Sequence, residues 1–336
     1  MTRSNNSDKI PNLAKIGLVV IGRNEGDRLR RCLMSVVGQV DAVAYVDSGS
    51  SDGSLTLAKE MGVETVNLDM SQPFTAARAR NLGARRLLEI RPDIDMVQFV
   101  DGDCELVEGW LQQAVSFLQD HGDIAVVCGR CRERFPDKSI YNRLCDMEWD
   151  TPIGEAEACG GNAMMRIDAF EAAGRFRDDL IAGEEPELCL RLRHEGWKIW
   201  RLDTEMVLHD AAITKISQWW RRSVRGGYSY ANVTWLYQKS DDKFWRRSVL
   251  RILTWGSLLP LILIGGAFLV NPWFLLGFLI YPLQVVRIAV RLGYDNRANW
   301  LYAGSTVLDK FPGMQGVVQF YFRQLTNGRT RIIEYK

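Results

Sequence analysis

Two carboxylates one residue apart, in Asp101-Gly102-Asp103, stand directly after the apolar run Met96-Val97-Gln98-Phe99-Val100. At the end of a buried strand such a pair can share one divalent cation. Mg2+ or Mn2+ prefers oxygen ligands of this kind and completes its shell with phosphate oxygens and water. A cation held there grips a diphosphate and neutralises its charge as a bond to it breaks. Alone, the pattern is equally that of a solvated acidic turn. Its company raises it: Gly22-Arg23-Asn24-Glu25 and the polar stretch from Asp47 to Asp52 also follow apolar runs.

The elements that must position these clusters alternate. Short apolar runs at 16–21, 42–46, 64–68, 96–100 and 124–128 read as strands. Helical patterns at 28–37, 55–61, 74–88 and 106–118 separate them. Strands alternating with helices imply an α/β domain with a parallel, Rossmann-like sheet covered on both faces. Ligands on such sheets sit beyond the C-terminal strand ends, where all three polar clusters fall. The region from 130 to 210 is less regular. It carries Gly160-Gly161-Asn162, Glu184-Glu185-Pro186-Glu187 and Leu208-His209-Asp210.

Composition narrows the class. The 336 residues suffice for one large or two modest domains, and Lys+Arg 42 against Asp+Glu 41 leaves no basic field that would draw nucleic acid. The seven cysteines are scattered, and Cys128-Gly-Arg-Cys131 has no second pair at zinc spacing, so reduced cysteines of a cytosolic domain are expected. Residues 1–15 are polar with no apolar core, so a polar tail rather than a signal peptide is expected.

The stretch 252–270 carries no charge, matching the roughly 20 residues of a helical crossing. Asn271-Pro272 breaks it, and 273–286 is again apolar. A transmembrane or re-entrant hairpin at 249–290 is favoured over a buried helix pair. Lys243, Arg246, Arg247 and Arg251 precede it and Arg287 and Arg291 follow, which puts both ends in the cytoplasm of a cell inner membrane. Segment 216–248, with Trp219, Trp220 and Trp235 among Arg221, Arg222 and Arg225, reads as an interfacial helix or as a core-packed one. Segment 291–336 is expected to return to the cytosolic face.

Val19-Val20-Ile21-Gly22-Arg23-Asn24-Glu25, Val46-Asp47-Ser48-Gly49-Ser50-Ser51-Asp52, Ala79-Arg80-Asn81-Leu82-Gly83 and Asp101-Gly102-Asp103, taken in this order, resemble the family 2 glycosyltransferases. The resemblance covers about residues 16–209 and implies a GT-A fold over 16–215, a nucleoside diphosphate sugar as donor and inversion at the anomeric carbon. It assigns Arg23, Glu25, Asp47, Arg80 (with Arg78 beside it) and Asp101 to the donor, and Gly161 and Asn162 to a loop lining the acceptor side. Asp101, Asp103 and His209 would hold Mg2+ or Mn2+. Where many relatives have a second acid after Asp47, this chain has Ser48.

Inverting transfer needs a general base on the acceptor hydroxyl. The family often draws it from Glu-Asp-x-Asp-Leu-x-x-Arg, and this chain has Glu184-Glu185-Pro186-Glu187-Leu188-Cys189-Leu190-Arg191. Glu185 aligns with the base, beside Glu184, although acids there also complement a helix N-terminus. Gln218-Trp219-Trp220-Arg221-Arg222 resembles a signature of processive relatives at a different spacing, so processivity is not inferred. The expected acceptor is a lipid-linked or saccharide one, in surface polysaccharide or glycolipid synthesis. A non-catalytic scaffold and a nucleotidyltransferase are the rivals; the latter usually opens with a Gly-rich basic loop where this chain has Arg23-Asn24-Glu25.

Overall fold

The structure, a computed structural model, describes residues 14–240 and 243–326. Apart from Ala14 and Lys15, the expected polar tail lies outside the described residues, as does the basic end 329–336. Contacts divide the chain into two compact units. The first comprises Met1–Arg132, Asp150–Arg177 and Glu185–Asp210, and the second Glu133–Trp149, Asp178–Glu184 and Ala211–Lys336.

The first half of the chain runs β1 (Ile16–Gly22), α1 (Asp27–Met34), β2 (Ala42–Asp47), α2 (Ser54–Glu60), β3 (Glu64–Asn67), α3 (Ala76–Ile90), β4 (Met96–Asp101), β5 (Cys104–Leu106), α4 (Trp110–Asp120) and β6 (Ile124–Glu133). There follow α5 (Ile140–Glu148), β7 (Gly154–Ala156), β8 (Ala163–Arg166), α6 (Ile167–Ala172), α7 (Glu184–His194), β9 (Lys198–His209) and α8 (Ile216–Leu236). The sheet order is β3-β2-β1-β4-β8-β6-β9-β5, with β7 on β9.

β3, β2, β1 and β4 are parallel, as the alternating pattern requires. β8 then runs antiparallel to β4, and β5 antiparallel to β9. The sheet is therefore mixed, which corrects the expectation of a wholly parallel one. Strands as short as β5, β7 and β8 span fewer residues than a period-2 pattern needs to declare itself.

The five residues from Ile16 to Val20 are all buried, as in a strand covered on both faces. α1 buries Leu29, Cys32 and Leu33, one stripe at helical spacing. α3 starts where the Thr75 side chain accepts a hydrogen bond from the Arg78 amide at 3.1 Å. At Gly83 a Cβ would sit 2.4 Å from Val19 Cγ1, so α3 lies directly on β1. This close seat sets the height at which Arg80, one turn earlier, leaves the helix. Register pairs Gly22 with Asp47 and Ile21 with Asp101, so the three polar clusters emerge at one sheet edge.

In the second unit, α8 is built into a core. Tyr228 and Ala231 cluster with Val249, Ile252, Val317 and Phe320. Trp219 joins Cys145, Ala211 and Ile213, whereas Trp220 and Trp235 stay 39% and 40% exposed. The core-packed reading thus describes the Trp219 face. Helices Arg246–Leu269 and Pro272–Leu292, 24 and 21 residues, are long and apolar enough to cross a membrane. They form a hairpin: Tyr281 Oη donates to the Trp255 carbonyl at 2.6 Å, and Asn271 caps the second helix through the Trp273 amide at 2.9 Å. The second helix is longer than its uncharged run because it continues past Arg287 and Arg291.

Gly83→Ala should lower unfolding stability by about 1–3 kcal/mol, through forced separation of α3 and β1. Chemical denaturation checks it; an unchanged midpoint would mean that α3 is not pinned to the strand.

Candidate active site

The centre of the site is the turn after β4. Gly102 donates to the Ile21 carbonyl at 2.8 Å, and a Cβ there would meet that oxygen at 3.1 Å. Asn162 Oδ1 accepts from the Asp101 amide at 2.9 Å, and its Nδ2 lies 3.5 Å from Cys104 Sγ. One buried amide side chain thus holds both ends of the acidic turn. Asp101 Oδ1 pairs with Arg80 at 2.8 Å; the arginine is 3% exposed and lies over the Phe176 ring at 5.7 Å. Gly161 makes that pair possible, since a Cβ would sit 2.5 Å from the Arg80 guanidinium and 3.2 Å from Asp101 Oδ2.

Asp103 points elsewhere. The pairing of Cys104 with His209 across β5 and β9 brings His209 Nε2 to 3.1 Å from Asp103 Oδ2. The Asp210 amide donates to the Asp103 carbonyl at 3.0 Å, closing the join. Asp103, Cys104 and His209 each offer an atom within 4.8 Å of the others. Burial pushes the Cys104 thiol well above its usual range, while Asp103 and His209 supply the oxygen and the nitrogen of this group. Among the described residues, the buried Asp210 Oδ1 accepts no hydrogen bond. An oxygen and an imidazole held this close fit a divalent cation, and the nitrogen ligand suits Mn2+ better than Mg2+. Asp101, expected to serve both donor and metal, has its carboxylate in the Arg80 pair.

Asp47 is buried at the end of β2. Tyr45 Oη donates to its Oδ1 at 2.9 Å, and the Gly49 and Ser50 amides donate to Oδ2 at 3.1 and 2.8 Å. This turn is tied to the loop after β1, where Asn24 Oδ1 accepts from the Ser51 amide at 2.7 Å. Arg23 lies over the Phe74 ring at 4.6 Å, and Glu25 pairs with Arg28 at 2.9 Å. Arg23, Glu25 and Asp47 therefore line one edge. Arg78 has another role: it holds the 69–73 loop through the Asp69, Gln72 and Pro73 carbonyls, at 2.9, 3.2 and 2.7 Å.

The acids of α7 divide. Glu187 is 1% exposed and forms a bidentate pair with Arg191, at 2.7 and 3.0 Å. Arg191 also donates to the Ala173 and Arg175 carbonyls. Glu187 and Arg191 are thus structural. Glu185 is half-buried beside the 159–162 loop, where its charge is one of the smaller influences on Cys159. That thiol is raised first by its hydrogen bond with Cys189, 3.7 Å away, then by burial. Glu184 is buried and belongs to the second unit. Cys128 and Cys131 lie on β6, three residues apart and hence on opposite faces.

Sequence reasoning missed Tyr45 and Phe176 and gave Asn24 and Asp210, which it quoted in their motifs, no role of their own; their parts become visible only when strand ends are set side by side. The Asn24 backbone, at φ 56°, is a local signal, since asparagine tolerates the left-handed region.

Residues 18–174 match the model for glycosyl transferase family 2. The matched segment is a glycosyl transferase family 2 domain. Curated relatives include glycosyltransferase AglE of Haloferax volcanii, 24% identical over 197 residues that cover 55% of this chain and 63% of that protein. Succinoglycan biosynthesis protein ExoA of Rhizobium meliloti is 28% identical over 180 residues, 51% of this chain and 54% of that one. The chain therefore spans less than two thirds of the length of these relatives. Among solved structures, mannosyltransferase PcManGT from Pyrobaculum calidifontis, in complex with GDP-Man and Mn2+, superposes with a TM-score of 0.57 at 16% identity, covering 95% of this chain and 89% of that one. At that identity the likeness bears on the fold, and it agrees with GT-A.

His209→Ala should weaken Mn2+ binding at least about tenfold, and Mg2+ binding less, because the lost ligand is the softer nitrogen. Electron paramagnetic resonance of free Mn2+ reads the first and competition the second. Unchanged Mn2+ affinity would place the cation elsewhere.

Proposed function

We propose that this protein is an inverting glycosyltransferase that moves a sugar from a nucleoside diphosphate donor to a saccharide or lipid-linked acceptor, in surface polysaccharide or glycolipid synthesis. The observation that carries the reading is the convergence, at one sheet edge, of Asp47, the Arg80–Asp101 pair and the Asp103–His209 pair. A nucleoside diphosphate needs a polar nucleoside end, a cationic side chain and a cation site in that succession.

In this reading Asp47 and Arg23 hold the nucleoside, and Asp101, oriented by Arg80 and Asn162, faces the ribose and sugar. Asp103 and His209 would hold Mn2+ or Mg2+. Bound there, the cation supplies positive charge against the departing diphosphate. Glu185 takes the proton from the acceptor hydroxyl as that oxygen attacks the anomeric carbon opposite the diphosphate. Its position supports this, since Glu187, its neighbour in the motif, is committed to Arg191. Gly160 and Gly161 let the acceptor approach the backbone closely. Inversion follows from one displacement at carbon.

The same proposal places the apolar hairpin in a cell inner membrane, with the catalytic domain on the cytoplasmic side. Leu269, Val270 and Trp273 at its tip are 87%, 74% and 73% exposed, which an apolar medium would cover. Basic residues stand at both outer ends of the hairpin and none at its tip.

The test is nucleotide release in detergent with Mn2+ or Mg2+, across UDP-, GDP- and TDP-sugars. Wild type should release nucleotide from one donor, and Asp103→Ala should release none. Glu185→Gln should keep donor affinity while transfer falls by about 10²–10⁴-fold. Donor binding without turnover by wild type, in the presence of candidate acceptors, would point to a scaffold. Full transfer by Glu185→Gln would move the base elsewhere.

A further inference from the structure

The second unit has an open pocket of about 430 Å3, between the C-terminal end of α8 and the first turns of the helix Arg246–Leu269. Its wall combines three chemistries. Lys243 and Arg246 bring two cationic groups, Trp235 and Tyr321 two amphipathic rings, and Leu250 and Leu253 an apolar floor. Among the described residues no carboxylate pairs with Lys243 or Arg246, and both are exposed. Lys243 and Trp245 have φ of 47° and 58°, left-handed values that non-glycine residues adopt only when their surroundings impose them.

The volume is that of a small-ligand site and several times that of a phosphate group. Its lining brings cations, aromatic rings and aliphatic side chains together. A soluble anion would use only the first of these, and an alkyl chain only the last. A phospholipid uses all three, and tryptophan and tyrosine collect at the headgroup level of membranes for the same reason.

We propose that this pocket binds the phosphate headgroup of an anionic membrane lipid. Lys243 and Arg246 bracket the phosphate, Trp235 and Tyr321 flank the glycerol, and the acyl chains leave over Leu250 and Leu253. The pocket's lining residues all belong to the second unit and the donor residues to the first. The lipid site rests on the reading of the hairpin as membrane-embedded.

The test uses the full chain in detergent, titrated with phosphatidylglycerol or phosphatidylcholine and followed by native mass spectrometry. Wild type should retain one phosphatidylglycerol and no phosphatidylcholine. The Lys243→Gln/Arg246→Gln variant should bind it about tenfold more weakly or worse. Arg287→Gln/Arg291→Gln, which removes equal charge from the same hairpin outside the pocket, should match wild type. Lys243→Arg/Arg246→Lys keeps both charges and should keep the lipid. Equal losses in the two glutamine variants, retention of phosphatidylcholine, or displacement of the lipid by millimolar inorganic phosphate would each overturn the assignment. Flotation with neutral vesicles separates the two readings. Normal flotation without headgroup selectivity overturns the pocket alone. No flotation, with solubility in detergent-free buffer, overturns the membrane placement and the lipid site with it.

Discussion

The antiparallel pairing of β5 with β9 is the constraint on which the site depends. It sets Cys104 opposite His209, so that a residue 106 positions away in sequence stands 3.1 Å from Asp103. A two-residue offset between strands moves a side chain by nearly 7 Å along the sheet, and the Asp103–His209 pair would be lost. The Asp210 amide on the Asp103 carbonyl fixes the offset. The buried carboxylate and imidazole can be held together because the ladder beneath them has already met its own hydrogen bonds.

The two acids of the turn are thereby given different work. Asp101 leans to the Arg80 side, under Gly161, and Asp103 to the His209 side. With only Gly102 between them, the separation depends on Asn162, whose oxygen holds the Asp101 amide while its nitrogen meets Cys104. A buried polar group satisfied at both ends specifies one arrangement, because any alternative leaves an amide unpaired. Arg80 is held in the same manner, by an aromatic face and a carboxylate, at a height that Gly83 sets through its contact with Val19.

The second unit follows a different rule. Its core is assembled where α8 meets the helix Lys310–Leu325, around Tyr228, Val317 and Phe320. The apolar hairpin exposes its rings and aliphatic chains instead. An aqueous domain buries such groups, whereas a chain that has an apolar medium available leaves them outward. Near the start of the hairpin lie Lys243, Arg246, Trp235 and Tyr321, residue types that pair an apolar body with a polar tip.

Much was legible in the sequence. Alternating apolar runs and helical stripes determined β1 to β4 and their helices, because burial on both faces writes itself as a continuous apolar run. The same pattern located Asp47, Asp101 and Asp103 at strand ends, and spacing located the hairpin. Local sequence could not decide which way β8 runs, because three or four residues pair equally well in either direction. Residue type alone does not separate Asp101 from Asp103, and the motif that singles out Glu185 as the base does not show what holds Glu187. Tertiary structure decided these through partners distant in the chain: Asn162 and Arg80 for Asp101, His209 for Asp103. Arg191 shares the α7 motif, but only folding seats it on the Ala173 and Arg175 carbonyls and so commits Glu187 to it. Residue types state what chemistry is available, while pairing across the sheet states which atoms are left free to perform it.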